Sequence, residues 1–202
     1  MSVDMIEANK ILLAQKRKQL QLQLDIQHWL PKWLPIFNAV RQLNQPWSFE
    51  YVDCVEEADL PFWEKALAQE PLSALGIPGS AIKTPADHYV HRNMEELFPG
   101  ILPVRYMPAL RYHVNYENDT AMILSQAAAT LHIPPEQEVY FFYTRFTPVI
   151  RLPFSSISLL NEEEIMIPEN ICIMAIDLRF LIFRSLEYEW TWGSLKPDNI
   201  TS

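Results

Sequence analysis

Hydrophobic residues near the beginning of the chain recur at helical spacing. Good helix formers fill residues 3–30, and no proline interrupts them before Pro31. We therefore predict a first helix that ends at Pro31 and Pro35, followed by a second short helix that ends before Pro46. The apolar residues of the first helix form two stripes, so we expect it to contact protein on more than one side. The two stripes are Ile6, Leu13, Leu20 and Leu24, and Leu12, Leu22, Ile26 and Trp29.

The segment that follows alternates between apolar and polar residues, as a β-strand does. In WSFEYVDCV, the side chains of Trp47, Phe49 and Tyr51 fall on the same side of the predicted strand. Asp59 and Pro61 then mark a helix start, because a carboxylate can accept hydrogen bonds from the amides of the first turn. Proline is tolerated at an early helical position, where its missing N–H has no partner to lose.

Residues 70–108 are rich in turn-forming residues, with six of the 16 prolines and three of the 4 glycines. We expect this stretch to be a long irregular segment or the joint between two subregions. Beyond it, LRYHVNY alternates as a strand. Asn118 or Asp119 can cap the alanine-rich helix TAMILSQAAATLH, which Pro134 and Pro135 close.

Strand-like segments dominate the chain from residue 138 onward. EVYFFYTRFTPVIRLP, ISLL and residues 171–194 are separated by short polar turns, which predicts an antiparallel meander. ICIMAI is apolar at both parities, so it is expected at the centre of the sheet. LEYEWTW separates two kinds of side chain, and we expect its aromatic face to be buried and its glutamate face to meet solvent. The first face is Leu186, Tyr188, Trp190 and Trp192, and the second is Glu187, Glu189 and Thr191.

These elements predict an α+β protein in which N-terminal helices pack on a C-terminal, mostly antiparallel sheet. A chain of 202 residues fits a single domain that spans residues 1–202. We distinguish a helical part at about 1–45, a mixed proline-rich part at about 46–135, and an antiparallel strand part at about 138–194.

Charge is unevenly distributed along the chain. The formal net charge is -9, and residues 1–45 hold six basic and three acidic residues, which leaves 10 minus 22, or -12, for the remainder. An acidic body repels phosphate backbones and attracts basic partners. Nucleic acid is therefore not expected as a ligand, although such a charge also serves solubility alone.

Two cysteines, Cys54 and Cys172, are too few for a disulfide framework and are expected to be structural thiols in a reducing compartment. The N-terminal residues carry acids before any apolar run, which is wrong for a secretory signal, and no stretch approaches the ~20 apolar residues of a membrane span. We therefore expect a cytoplasmic protein that does not bind membranes.

Residues able to carry catalysis are few. Asp87, His88 and His91 lie close together in sequence, and His113 is the next histidine along the chain. Two histidines three residues apart can share a helical face, but zinc needs a third ligand. We find no glycine-rich phosphate loop and no nucleophile motif, so we predict no cofactor, no metal and no catalytic residue.

The C-terminal strands resemble the bacterial immunity proteins of polymorphic toxin and contact-dependent inhibition systems. The resemblance covers residues 138–194 and rests on VYFFYTRFTPVIRLPFSSI, an acidic spacer, and CIMAIDLRFLIFRSLEYEWTWG. It implies a stoichiometric inhibitor that occludes the active site of a cognate toxin, which we expect to be basic. From the charge pattern, we predict that an acidic surface binds this partner. Its residues are Glu162, Glu163, Glu164, Glu187 and Glu189.

Two other functions stay open at this point. A small hydrolase or metal-dependent enzyme would use Asp87, His88, His91 and His113, and would show a metal or a perturbed histidine in a concave pocket. A non-catalytic regulatory subunit would instead oligomerise through the first helix. In that case residues 4–30 should expose an apolar stripe.

Overall fold

The structure is a computed structural model that describes residues 3–115, 119–144, 148–160, 165 and 169–195. It confirms the α+β class, with helices mostly in the N-terminal part and a seven-stranded antiparallel sheet built largely from the C-terminal part.

One long helix occupies the N-terminal part of the chain, where we predicted two. Helix α1 runs continuously over Val3–Gln42 and includes both Pro31 and Pro35. A proline inside a helix removes a hydrogen bond and crowds the preceding turn, which costs ~3 kcal/mol or more. Both prolines are exposed, so the missing bonds lie on the solvent side. The opposite side of this part of α1 is buried, and burial at ~1.5–3 kcal/mol for each large side chain offsets the cost. The fully buried residues are Trp33, Ile36, Phe37 and Val40.

The other α-helices whose bounds lie within the described residues are shorter. They are α2 (Leu60–Leu67), α3 (Tyr89–Leu97), α4 (Ile101–Val104), α5 (Thr120–Leu131) and α6 (Phe154–Ile157). Asp119 caps α5 as predicted, because its side chain accepts a hydrogen bond from the Ala121 amide at 3.0 Å. Asp59 precedes α2 as predicted but makes no capping bond, since its carboxylate instead binds Lys18 Nζ of α1 at 2.7 Å. The ISLL segment, predicted as a strand, contributes to α6 and the turn after it.

The strands form a large sheet and a small one. The seven-stranded sheet has the order β1-β6-β5-β7-β8-β9-β4, and β2 pairs with β3 separately. The predicted antiparallel meander is present, because β5, β7, β8 and β9 are successive neighbours and β7 is buried along its whole length. Two earlier segments join at the edges. The bounds are β1 (Ser48–Tyr51), β2 (Asp53–Cys54), β3 (Ile82–Lys83), β4 (Tyr112–Asn115), β5 (Glu138–Tyr143), β6 (Val149–Pro153), β7 (Ile171–Ala175), β8 (Phe180–Arg184) and β9 (Glu189–Ser194).

Both faces of the large sheet are covered. On one face the side chains of β5 to β9 pack against α1, α2 and α5, and on the other the side chains of β5 to β8 pack against α3, α4 and the residues that follow α4. An antiparallel sheet with two buried faces explains why β5, β7 and β8 read as nearly continuous apolar runs.

Burial of the second face corrects our prediction for the last strand. Trp190 and Trp192 are buried as expected, but Thr191 on the opposite side is also buried and donates to the Tyr112 carbonyl at 2.7 Å. Tyr188 does not join the buried aromatic face. It lies in the turn before β9 with a φ of 64° and is exposed.

A β-bulge corrects the face assignment of the first strand. Phe49 pairs with Ile150 and Tyr51 pairs with Val149, so the register shifts between them. The extra residue rotates the strand, and Tyr51 enters the core of the opposite face from Phe49. The bulge thereby places the Tyr51 hydroxyl beside α3.

Candidate functional site

The N-terminal half of α1 carries hydrophobic side chains that stay exposed to solvent. Every residue from 6 to 21 is exposed, and burial against α2 begins only at the half-buried Leu22 and Ile26. We call residues 6–21 the arm. At 1.5 Å per residue the arm is about 22 Å long.

One of the two predicted apolar stripes is entirely exposed. We call it the outer stripe, and its residues expose 42–57% of their surface. With about 100° of rotation per residue, the outer stripe lies on the side of α1 opposite to Trp33 and Val40, which are fully buried. The members of the outer stripe are Ile6, Leu13, Leu20 and Leu24.

Basic residues border the outer stripe. Lys10 and Arg17 lie on one side of it and Lys16 on the other, and all three are exposed. Lys10 contacts Glu7 within the helix at 3.4 Å, in a pair that is exposed at both ends. Within the described chain, no ion pair forms at Lys16 or Arg17. The arm therefore presents leucines between positive charges.

An exposed helix of this length gains little stability from its own sequence. Isolated helices of about 12–15 residues are marginal in water, because most helical stability in proteins comes from packing an apolar face. The arm has apolar residues but packs none of them. Ile11 and Leu12, outside the outer stripe, are also about half exposed, at 55% and 49%. An exposed apolar stripe within residues 4–30 is the feature that we expected of a subunit that oligomerises through its first helix, and residues 6–24 show one.

His88, which precedes α3, and His91 within α3 form a compact polar cluster beside the bulge of β1. The rings of His88 and His91 stack with centroids 4.9 Å apart, and the Tyr51 ring lies 4.1 Å from His88. The Tyr51 hydroxyl is 2.8 Å from His91 Nδ1 and accepts from the His91 amide at 3.0 Å. His91 Nε2 lies 3.1 Å from the Tyr143 carbonyl.

This geometry fixes the proton on His91. A carbonyl can only accept, so Nε2 carries the hydrogen and donates to Tyr143, while Nδ1 accepts from the Tyr51 hydroxyl. Burial lowers the pKa of His91 to about 3, with a further contribution from the nearby His88, and burial lowers the pKa of His88 to about 4. Both rings are therefore neutral at neutral pH, with His91 buried in the core and His88 half-buried beside it.

The other members of the predicted enzyme site do not join these two histidines. Asp87 is exposed and accepts a hydrogen bond from Thr84 Oγ1 at 2.9 Å. His113 lies on β4, at the opposite edge of the sheet from β1, and contacts Glu189 at 4.0 Å. No group of three or more potential metal ligands occurs among the described residues.

A hydroxyl network borders the histidine cluster on the same face. Tyr89 donates to Glu50, the residue at the bulge, and its hydroxyl is 3.0 Å from that of Tyr140. Burial raises the pKa of Tyr89, and the hydrogen bond to Glu50 raises it further. On this face of the sheet Cys172 is a free, buried cysteine, and burial raises the pKa of its thiol well above the usual value. The Tyr89 hydroxyl and the Cys172 thiol are therefore protonated, and they are suited to packing rather than to nucleophilic chemistry.

The predicted acidic surface is only partly within the described chain. Glu162, Glu163 and Glu164 lie outside the described residues. Glu187 is exposed in the turn between β8 and β9, whereas Glu189 is half-buried and is directed toward His113. The structure thus separates the two described glutamates, because the turn interrupts the alternation that would have aligned them.

An ion pair between a buried glutamate and a half-buried arginine was not predicted from the sequence. Glu169 is fully buried, and its carboxylate is 2.9 Å from Arg105 and accepts from the Thr144 hydroxyl at 3.2 Å. The ion pair connects the segment after α4 to the segment before β7, and the Thr144 hydrogen bond connects Glu169 to the end of β5. No spacing in the sequence connects these residues, since 64 positions separate Arg105 from Glu169.

Comparison with protein-family models, with curated proteins and with solved structures found no match to this chain. Among the described helices, none has both the length and the apolar character needed to cross a membrane.

Proposed function

We propose that this protein is a non-catalytic binding protein that engages another protein through the arm of α1. The observation that carries the proposal is the outer stripe, in which Ile6, Leu13, Leu20 and Leu24 remain exposed along five helical turns. Exposed apolar patches of this kind mark interaction sites, because their burial in a complex is favourable.

The arrangement of the histidines supports a binding function over an enzymatic one. His88 and His91 are neutral, and the hydrogen bonds of His91 are taken up by Tyr51 and by the Tyr143 carbonyl. A general base must reach substrate, and His91 is only 7% exposed.

The proposal is tested by comparing two double variants of equal added charge. Leu13→Asp/Leu20→Asp changes the outer stripe, and Ala8→Asp/Gln15→Asp changes the opposite side of the same exposed arm. Circular dichroism is used first to check that both variants retain the folded helix. Calorimetry then measures the affinity of each variant for the protein that the neighbouring gene encodes and that co-purifies with this chain.

We expect the leucine variant to lose about 100-fold or more in affinity, because two anchors at ~1.5–3 kcal/mol each are removed. The Ala8/Gln15 variant should bind within about threefold of the unchanged protein. Equal losses in the two variants, or no loss in either, would show that the outer stripe is not the binding surface.

A second candidate is neutralisation of a toxin by an acidic surface, as the resemblance of residues 138–194 to immunity proteins implies. Glu187 favours it, because its side chain is exposed at the turn between β8 and β9. Glu187→Lys should slow association with a basic toxin domain and weaken the salt dependence, with Asp177→Lys in the exposed turn between β7 and β8, at the opposite end of β8, as control. An association rate unchanged at low salt would argue against this surface.

A further inference from the structure

The outer stripe also specifies the chemistry of its occupant, provided that the proposed function holds. We infer that the arm pairs with an acidic amphipathic helix of a partner protein, which lies along the outer stripe and places carboxylates against Lys10, Lys16 and Arg17. Three observations lead to this partner: the width of the stripe, its charged borders, and a contact that α1 already makes.

The outer stripe is narrow. Ile6, Leu13 and Leu20 are seven residues apart and Leu24 follows four residues later, so all four lie within an arc of about 40°. A narrow apolar stripe with a seven-residue repeat can pack against one neighbouring helix. A helix that rests on a lipid surface needs a wider apolar face, usually with aromatic residues, and the outer stripe has no aromatic residue.

The charges beside the outer stripe have one sign. Lys10 and Arg17 border it on one side and Lys16 on the other. The nearest acidic residues of the same helix, Glu7 and Asp25, are rotated by about 100° or more from the stripe. A helix packed on this stripe therefore meets positive charge on both flanks, and acidic residues at its own flanking positions complement that charge.

The inner side of α1 shows how it recognises a helix. Where α1 meets α2, Leu22 packs into the core while Lys18 pairs at 2.7 Å with Asp59, at the start of α2. This contact combines an apolar residue with a lysine that binds an acid at the beginning of a helix. The outer stripe repeats the combination with Leu20 between Lys16 and Arg17.

A second copy of the chain fits less well. In an antiparallel pair of outer stripes, the two-fold axis falls near residues 15–16 and brings Lys16 and Arg17 of the two copies together. In a parallel pair, each basic residue stands beside its own equivalent.

The test uses the full chain and two labelled synthetic peptides of about four heptads, long enough to pair as helices. Both have leucine at the seam positions, and their flanking positions are glutamate in one and lysine in the other. Fluorescence anisotropy gives the affinities at about 0.05 M and about 0.5 M NaCl. The charge variant is Lys16→Glu/Arg17→Glu.

We expect the acidic peptide to bind about tenfold or more tighter than the basic one at low salt, with the difference shrinking at high salt. Lys16→Glu/Arg17→Glu should reverse the preference, and Leu13→Asp/Leu20→Asp should abolish binding of both peptides. Equal affinities, preference for the basic peptide, or no binding of either peptide would overturn the inference.

Two further measurements identify other occupants. Sedimentation equilibrium that shows a dimer dissociated by Leu13→Asp/Leu20→Asp would replace the acidic helix with a second copy. Leucine-dependent binding to phosphatidylserine-containing vesicles would replace it with a membrane. If a natural protein partner is lost with Leu13→Asp/Leu20→Asp but the acidic peptide is not preferred, the inference fails and the proposed function stands. If neither depends on the leucines, both fail.

Discussion

Mild acid is expected to destabilise the folded protein through His91. Its Nδ1 accepts a hydrogen bond from the Tyr51 hydroxyl, and its Nε2 faces the Tyr143 carbonyl. A proton added to Nδ1 would turn this acceptor into a donor inside an apolar environment. The folded protein therefore resists protonation, and the pKa of His91 falls to about 3.

The sign and size of the effect follow from proton linkage. At about pH 7.5, well above the ordinary histidine pKa of about 6.5, the ring is neutral in the folded and in the unfolded chain, so stability is at its full value. As the pH falls from 6.5 towards 3, the unfolded chain binds a proton that the folded chain does not, and stability is lost. From pH 7.5 to pH 5 this loss amounts to about 2 kcal/mol for His91 alone. His88 contributes in the same direction, but its ring is partly exposed and solvent reduces its share.

Urea denaturation at several pH values between about 7.5 and 5 measures this loss, in a range above the ordinary titration of carboxylates. His91→Gln removes the titrating group and should flatten the dependence by about 2 kcal/mol. An unchanged slope in His91→Gln, or a pKa near 6.5 for His91 by nuclear magnetic resonance, would refute the reasoning.

Two other predictions concern the packing of the sheet. Trp33→Ala should destabilise the protein by about 3–5 kcal/mol in chemical denaturation, because the side chain is fully buried, whereas Leu34→Ala next to it, 38% exposed, should cost about 1 kcal/mol or less. Gly193→Ala should lower the free energy of unfolding by about 1–3 kcal/mol, because the new methyl group would lie 3.1 Å from the Arg111 amide nitrogen. Gly79→Ala is its control, because a methyl group added at Gly79 meets no atom within 4 Å. Equal effects within either pair would contradict the packing described.

Several elements could be predicted from the chain alone, because their signals are local. The strand-like segments from residue 138 onward indicated an antiparallel meander with β7 at its centre, and Asn118 or Asp119 marked the start of α5. The outer stripe was also visible as a repeat of seven residues. In each case the pattern lies within about 20 consecutive residues, so it reports directly on one helix or strand.

Tertiary packing decided the features on which function depends. The prolines of α1 would end an isolated helix, but burial of Trp33 and its neighbours keeps the helix continuous. Simple alternation had placed Tyr51 on the same face as Phe49. The bulge in β1 instead turns Tyr51 to the other face, where its hydroxyl contacts His91. The alternation of apolar and polar residues depends on one strand alone. A bulge arises from the pairing of two strands, so it cannot be predicted from one strand's sequence.

The sequence by itself determined which residues of α1 are apolar and how they are spaced around the helix. It could not determine which of the two stripes would be covered. That depends on where α2 and the sheet lie, and they cover the side that holds Leu22 and Ile26 and leave Leu13 and Leu20 exposed. Burial is a property of two surfaces together, so only the tertiary structure could show which stripe is left for a partner.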